Sequence, residues 1–253
     1  MDLGIKGLRA IVTGGTKGIG RAIVETLATE GCAVAFCARN AEEVSGAVSA
    51  LKTKGMQVSG RALDVADASA LQKWVHDVAT EFSGIDLVIA NVSALAIGND
   101  EESWKKEFDV DLMGTVRLVN AAMPFLEKSQ APAIVTISSV SGREIDFAAG
   151  PYGTFKAALI HYTQGLAFQL ASKGIRANSV SPGNTYFEGG VWHRIKESNP
   201  DFYKQALALN PTGRMGTPQE MANAVAFLAS RAASFITGTN LIVDGALTRG
   251  VQF

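Results

Sequence analysis

LRAIVTGGTKGIGRAIVETLATEG, residues 8–31, decides how this chain folds. Its first positions are apolar and β-branched, as a strand buried on both faces requires, and its second half carries apolar residues at helical spacing. Between them lies TGGTKGIG, where Gly14, Gly18 and Gly20 remove side chains at the points where the backbone must turn sharply, approach a bound group and pack the new helix on the sheet. A strand that runs through such a turn aims the free amide groups of the following helix at an anion, with Thr16, Lys17 and Ile19 in the same turn. The arrangement predicts a pyrophosphate site and hence a dinucleotide coenzyme. The plainer reading, glycines that only mark a tight turn, loses weight because both the strand and the helix are in place.

Outward from this unit the rhythm repeats. Strands are predicted at 8–13, 33–38, 57–62, 87–91, 133–138, 176–180 and 241–243, with helices at 18–30, 41–54, 69–82, 103–126, 152–172 and 218–229. Repeated βαβ units imply an α/β chain: a Rossmann-like, doubly wound parallel sheet of about seven strands with helices on both faces. Its ligand crevice lies beyond the carboxyl ends of the strands, where the winding reverses. Residues 184–217 break the rhythm with Pro200, Pro211, four glycines and five aromatics, and they read as a lid or substrate loop with short helices of its own.

The 253 residues, 47% of them hydrophobic, suit a single domain over 1–253. Lysine and arginine total 23 against 24 acids, so there is no basic surplus for nucleic acid or an anionic membrane. The apolar run near the amino terminus is too short to span a bilayer and follows Asp2, not a basic segment, so a cytoplasmic location is expected. Cys32 and Cys37 should face opposite sides of the sheet, which argues against a disulfide. His76, His161 and His193 have no metal-ligand spacing, so no metal is expected.

At the end of the second predicted strand an acid would bind the adenosine ribose and repel a 2′-phosphate. This chain reads FCARN there: Arg39 offers a planar donor fork, and Lys17 adds a second cation from the glycine turn. NADP(H) is the expected coenzyme. Tyr152 and Lys156 stand four apart on one helix face. A free phenol ionises near 10, and a neighbouring ammonium together with a nicotinamide cation favours its phenolate, making Tyr152 a usable acid or base. In reduction it gives a proton to a carbonyl oxygen, while Lys156 also hydrogen-bonds the nicotinamide ribose. The seryl run after the fifth strand, Ser138, Ser139 and Ser141, supplies hydroxyls that can orient the same oxygen.

TGxxxGIG, the YxxxK pair and the length together resemble the short-chain dehydrogenase/reductase family in its single-domain form of roughly 250 residues, over nearly the whole chain. The resemblance implies several roles. Ser139, thirteen positions before Tyr152, becomes the catalytic serine; Asp64 and Val65 contact adenine; Asn91 belongs to the NNAG turn; Pro182-Gly183 and ITGTNLIVDG also match. It further implies an NADPH-dependent carbonyl reductase acting on a small-molecule ketone or alcohol, and a homo-oligomer, tetramer or dimer.

Two departures stand out. NNAG appears as ANVS, 90–93, so Ser93 must accept a glycine-like backbone shape or the turn has changed. Asp111 stands where many relatives carry an asparagine that distorts its helix and helps hold a water near the lysine. As a catalytic-site residue, a carboxylate there weakens the depression of the Tyr152 pKa and shifts activity to higher pH; as a plain salt-bridged or capping residue it does neither. Phe187 replaces a threonine that in relatives often touches the nicotinamide amide. A non-enzymatic coenzyme-binding protein, a redox sensor or assembly partner, is the alternative that these departures motivate.

Overall fold

A computed structural model describes residues 2–251. Seven parallel strands form one sheet: β1 Arg9–Thr13, β2 Ala33–Ala38, β3 Val58–Ala62, β4 Leu87–Ala90, β5 Ala133–Ile137, β6 Arg176–Pro182 and β7 Asn240–Val243. Their spatial order is β3-β2-β1-β4-β5-β6-β7. The winding therefore reverses between β1 and β4, and the carboxyl ends of those two strands border a crevice. The expected Rossmann-like architecture is the one observed.

Nine α-helices cover the sheet among the described residues: α1 Gly18–Thr29, α2 Ala41–Thr53, α3 Ala68–Glu81, α4 Glu101–Glu107, α5 Gly114–Leu126, α6 Pro151–Leu170, α7 Val191–Ser198, α8 Pro200–Ala208 and α9 Pro218–Ala229. The strands are mostly apolar, β3 and β6 excepted, and their side chains alternate between two layers. Ala10, Val12, Val34 and Phe36 pack with α1, α2 and α9. Ile11, Ala35 and Val88 pack with α3, α5 and α6 on the other face. Cys32 and Cys37 fall in opposite layers, both as free thiols. At the amino ends of the strands, Arg9 clamps the nearly buried Asp86 through Nε and Nη2, each 2.7 Å from a carboxylate oxygen, and so ties the starts of β1 and β4 together.

The 103–126 helix expected from the sequence is three pieces. After α4, Phe108–Met113 forms a π-helical turn before α5 resumes. An extra residue in one turn swings the side chains on that turn out of α-helical register. Residues 184–217 hold α7 and α8 and no strand beyond a single bridge, Thr185 to Gly216. Trp192, Ala206 and Met215 make a small apolar core there, flanked by Tyr186, Phe202 and Tyr203.

Candidate active site

The glycine turn follows directly from β1. Gly14 and Gly18 have φ of +73° and +56°, a left-handed shape that disfavours any side chain. A Cβ on Gly20 would lie 2.0 Å from the Gly14 carbonyl oxygen, so α1 can approach the sheet only because position 20 is glycine. Asn91, at the end of β4, closes the turn from behind: its Nδ2 donates to the carbonyls of Thr13 and Gly14 at 3.0 and 3.3 Å. The amino ends of α2, α3 and α4 are capped by the side chains of Asn40, Asp67 and Asp100. That of α1 has Lys17 as its cap residue and no side-chain cap, so its first amides remain free for an anion. Free amides, bare glycines and a deep crevice fit the pyrophosphate of a dinucleotide.

That crevice is a cleft of about 980 Å³ and is lined by Gly14, Thr16, Lys17, Gly18, Ile19, Gly20, Arg39, Asp64, Val65, Asn91, Ser139, Tyr152, Lys156, Pro182 and Gly183. Every residue expected from the sequence at the catalytic or coenzyme site thus lines one cleft, except Asp111, which lies beneath its floor and is fully buried. Arg39 is exposed at the mouth. Lys17 is not free there: its Nζ sits 3.3 Å from Glu43 Oε1, and the Thr16 hydroxyl donates to Glu43 Oε2 at 3.2 Å. Glu43 was missed because on the sequence it is one of two consecutive acids in the first turn of a helix, an ordinary place for an acid.

At the other end of the cleft, α6 carries Tyr152 and Lys156 on one face, with the lysine Nζ 5.5 Å from the centre of the tyrosine ring. Lys156 is 2% exposed, and its ammonium donates to the Ile137 carbonyl at the end of β5 at 3.1 Å. It also lies 2.9 Å from Asp111 Oδ2. Ser139 follows β5; its Oγ accepts from the Ser141 amide at 3.2 Å and donates to the Ser141 hydroxyl at 3.3 Å. Ser138, by contrast, turns away and donates to the Lys156 carbonyl at 2.7 Å.

Without a coenzyme the phenol of Tyr152 is raised above its ordinary value. Burial is the main cause; Lys156 and the Ser139 hydroxyl pull it down, while Asp111 and Glu107 push it up. The net direction differs from the depression expected of a tyrosine beside an ammonium, because burial outweighs the pull of that ammonium, with two carboxyls adding to the rise. Lys156 itself is raised: burial opposes its charge, but Asp111 leads the groups that favour it.

The ANVS turn has changed. Ser93 does not take the left-handed shape; Leu95 does, with φ of 53°, and the Ser93 Oγ accepts the Leu95 amide at 3.2 Å. Asp111 Oδ1 takes the amide of Ala94 at 2.7 Å, and Glu107 Oε1 takes that of Ala96 at 2.5 Å. The two departures noted on the sequence are therefore one structural unit: Asp111 of the π-helical turn and Glu107, the last residue of α4, hold the backbone of the altered loop. Glu107 was invisible on the sequence, because in EESWKKEF it reads as one more solvent-facing charge.

Facing Tyr152, the cleft wall is apolar, with Leu95, Ile97, Phe147, Trp192 and Phe202. Phe147 meets Trp192 and Phe202 edge-on at 5.7 and 5.6 Å between ring centres. Phe187 covers the glycine turn, its ring 2.5 Å from where a Cβ on Gly18 would stand. The aromatics of 184–217 thus divide: Trp192 and Phe202 belong to both the small core and the wall, whereas Tyr186 and Tyr203 serve only the core. Among the described residues no group of three or more His, Cys, Asp or Glu could hold a metal ion, and no helix is long and apolar enough to cross a membrane.

Residues 14–248 match the family described as enoyl-(acyl carrier protein) reductase. The isoepoxydon dehydrogenase patN of Penicillium expansum is 40% identical, over 100% of this chain and 99% of its own length. Among solved structures, the L-sorbose reductase of Gluconobacter frateurii, complexed with NADPH and L-sorbose, superposes with a TM-score of 0.90 at 28% identity, covering 99% of this chain and 100% of that one. A 7α-hydroxysteroid dehydrogenase complexed with NADH gives 0.89 at 27% identity, covering 97% and 96%. On this kinship and on the glycine turn that opens its coenzyme cleft, the chain belongs to the short-chain dehydrogenase/reductase family, oxidoreductases that use nicotinamide coenzymes on small molecules.

Proposed function

We propose that this protein is an NADP(H)-dependent carbonyl reductase that interconverts a ketone and a secondary alcohol. The observation that carries the reading is the convergence of Ser139, Tyr152 and Lys156 in the same cleft as the glycine turn. NADPH, when bound, supplies hydride to the carbonyl carbon. Tyr152 gives its proton to the carbonyl oxygen, and its raised pKa keeps that proton in place at neutral pH. Ser139 orients the oxygen; Lys156, held by Ile137 and Asp111, supplies positive charge beside the phenol. Arg39, with no acid at the end of β2 to oppose it, favours a 2′-phosphate and so NADPH over NADH.

The apolar wall suits a substrate with a hydrophobic face, and the kinship with an isoepoxydon dehydrogenase makes isoepoxydon the first alcohol to assay. Residues 184–217, which carry Trp192 and Phe202, act as the substrate loop. The exposed aromatic rings of Phe168 on α6 and of Phe235 support a homo-oligomer, tetramer or dimer, which sedimentation would measure.

The test mixes the purified protein with NADPH and a panel of ketones while absorbance follows coenzyme oxidation, beside binding titrations of NADPH and NADH. Turnover is expected, with tighter binding of NADPH. Tyr152→Phe should lower kcat by about 10²- to 10⁴-fold and leave NADPH binding intact. Binding without turnover across the panel would favour a coenzyme sensor instead.

A further inference from the structure

We propose that Glu107 and Asp111 share a single proton beneath the cleft, and that Glu107, a positioning residue acting through Asp111 and Lys156, thereby sets how readily Tyr152 holds or gives up its own. The inference rests on the reading of Tyr152 as the acid–base group.

The geometry begins with a count of charges. Glu107 and Asp111 are both fully buried and Lys156 nearly so, so three ionisable side chains, one cation and two carboxyls, are packed away from water, with the cation against Asp111. If both carboxyls were ionised, a net negative charge would sit in a dry site, where each uncompensated ion costs several kcal/mol. Retaining one proton on the pair makes the cluster neutral. The hydrogen bonds leave a place for that proton. Asp111 Oδ1 and Glu107 Oε1 are each occupied by a backbone amide, from Ala94 and Ala96. The second oxygens, Asp111 Oδ2 and Glu107 Oε2, are buried and receive no directed hydrogen bond from a donor; the Lys156 ammonium lies 2.9 Å from the former. The two carboxyls stand four residues apart where α4 meets the π-helical turn, and they hold amides two residues apart in the same loop.

Among the described residues, no other ionisable group reaches the pair. The loop 93–98 that covers it has no ionisable side chain, and α6 contributes only Tyr152 and Lys156. On the neighbouring turns, Lys105, Lys106 and Asp109 are exposed to solvent. Burial first, then the charge of Asp111, push the Glu107 carboxyl up to about 8, while Lys156 and the Ala96 amide oppose the rise. The pair therefore keeps its one proton through neutral pH and loses it as the pH rises through about 8. Ionisation adds a second negative charge to the Lys156 surroundings and raises the Tyr152 phenol further, making it a weaker donor. No electrons move in this step: one proton leaves the carboxyl pair for solvent and returns from solvent when the pH falls.

The experiment reads protons on the free protein, apart from turnover. Infrared difference spectra over a pH titration should show a protonated-carboxyl band in the parent that disappears as pH rises through about 8. The band should be absent in Glu107→Gln, whose amide can still accept from Ala96 and stand in for the protonated acid. Ultraviolet titration of the phenolate, with Tyr152→Phe as the blank, should place Tyr152 lower in Glu107→Gln than in the parent. In ketone reduction, kcat of the parent should decline above about pH 8, and Glu107→Gln should show no decline over the next pH unit. Asp111→Asn should shift the infrared titration downward, because the repelling charge is gone.

A parent with no such band, or phenolate titrations that superimpose in parent and Glu107→Gln, would overturn the inference even in an active reductase. A protein showing both titrations but reducing no ketone would leave the proton-sharing pair standing and overturn the functional reading alone.

Discussion

Two lysine–carboxylate pairs stand at opposite ends of the same cleft. At the adenosine end, Lys17 and Glu43 meet at 3.3 Å with side chains 69% and 41% exposed. Beneath the reacting end, Lys156 and Asp111 meet at 2.9 Å with side chains 2% and 0% exposed. The chemistry is the same and the distances differ little, but the dielectric does not. Water screens the first pair, so either partner can exchange its neighbour for a ligand charge at small cost. The second pair has no water to fall back on, so its charges must balance among Lys156, Asp111 and Glu107, and any imbalance appears as a shifted proton. An exposed ion pair is suited to coenzyme exchange, and a buried one to proton chemistry.

The largest effect should come from breaking the buried pair. Lys156→Met leaves its carboxyls without a cation, and removing one partner of a buried pair costs about 3–5 kcal/mol. Denaturant midpoints should fall accordingly, whereas Lys17→Met should leave the midpoint nearly where it was. Equal shifts for the two variants would erase the distinction drawn between the two ends.

A smaller effect is expected at the glycine turn itself. Gly18→Ala forces a side chain into φ of +56° and against the Phe187 ring at 2.5 Å. Strain of about 1–3 kcal/mol at such a position corresponds to NADPH binding weaker by about 5- to 150-fold, readable by quenching of protein fluorescence. Ketone KM should change less than coenzyme affinity, since the apolar wall lies at the other end of the cleft.

The smallest effect sharpens the exposed pair. Glu43→Gln releases Lys17 toward a 2′-phosphate and should tighten NADPH about two- to five-fold at low salt, with NADH nearly unchanged and the gain fading as salt is added. Equal tightening of both coenzymes would mean that Lys17 faces the pyrophosphate and not the ribose.

The glycine turn, the seven strands and the tyrosine–lysine pair were legible in the chain alone because each rests on local rules, whereas Ser139, Asp64, Val65, Asn91, Pro182 and Gly183 came through the family resemblance. A glycine at φ above zero, a β-branched run and a tyrosine one helical turn before a lysine carry their meaning in sequence spacing. Glu107 and Glu43 were missed for the opposite reason. Each is an acid beside another charged residue on a helix, and nothing in its neighbours tells a solvated charge from one turned inward. The π-helical turn at Phe108–Met113 rotates that face of the helix, and an α-helical period laid over 103–126 hides it. Ser93 shows the same limit at the level of backbone: ANVS marks a changed turn, but the left-handed residue proved to be Leu95.

The sequence by itself determined a doubly wound sheet, the strand-to-helix turn for a pyrophosphate and a tyrosine–lysine pair on one helix face, since adjacent residues enforce all three through sterics and periodicity. Only the tertiary structure decided the direction in which the Tyr152 proton is biased and which lysine remains a solvated charge. Those outcomes depend on how many like and unlike charges are brought together out of reach of water, and the chain sets that number only when residues 93–98, 107–111 and 152–156 close around one another.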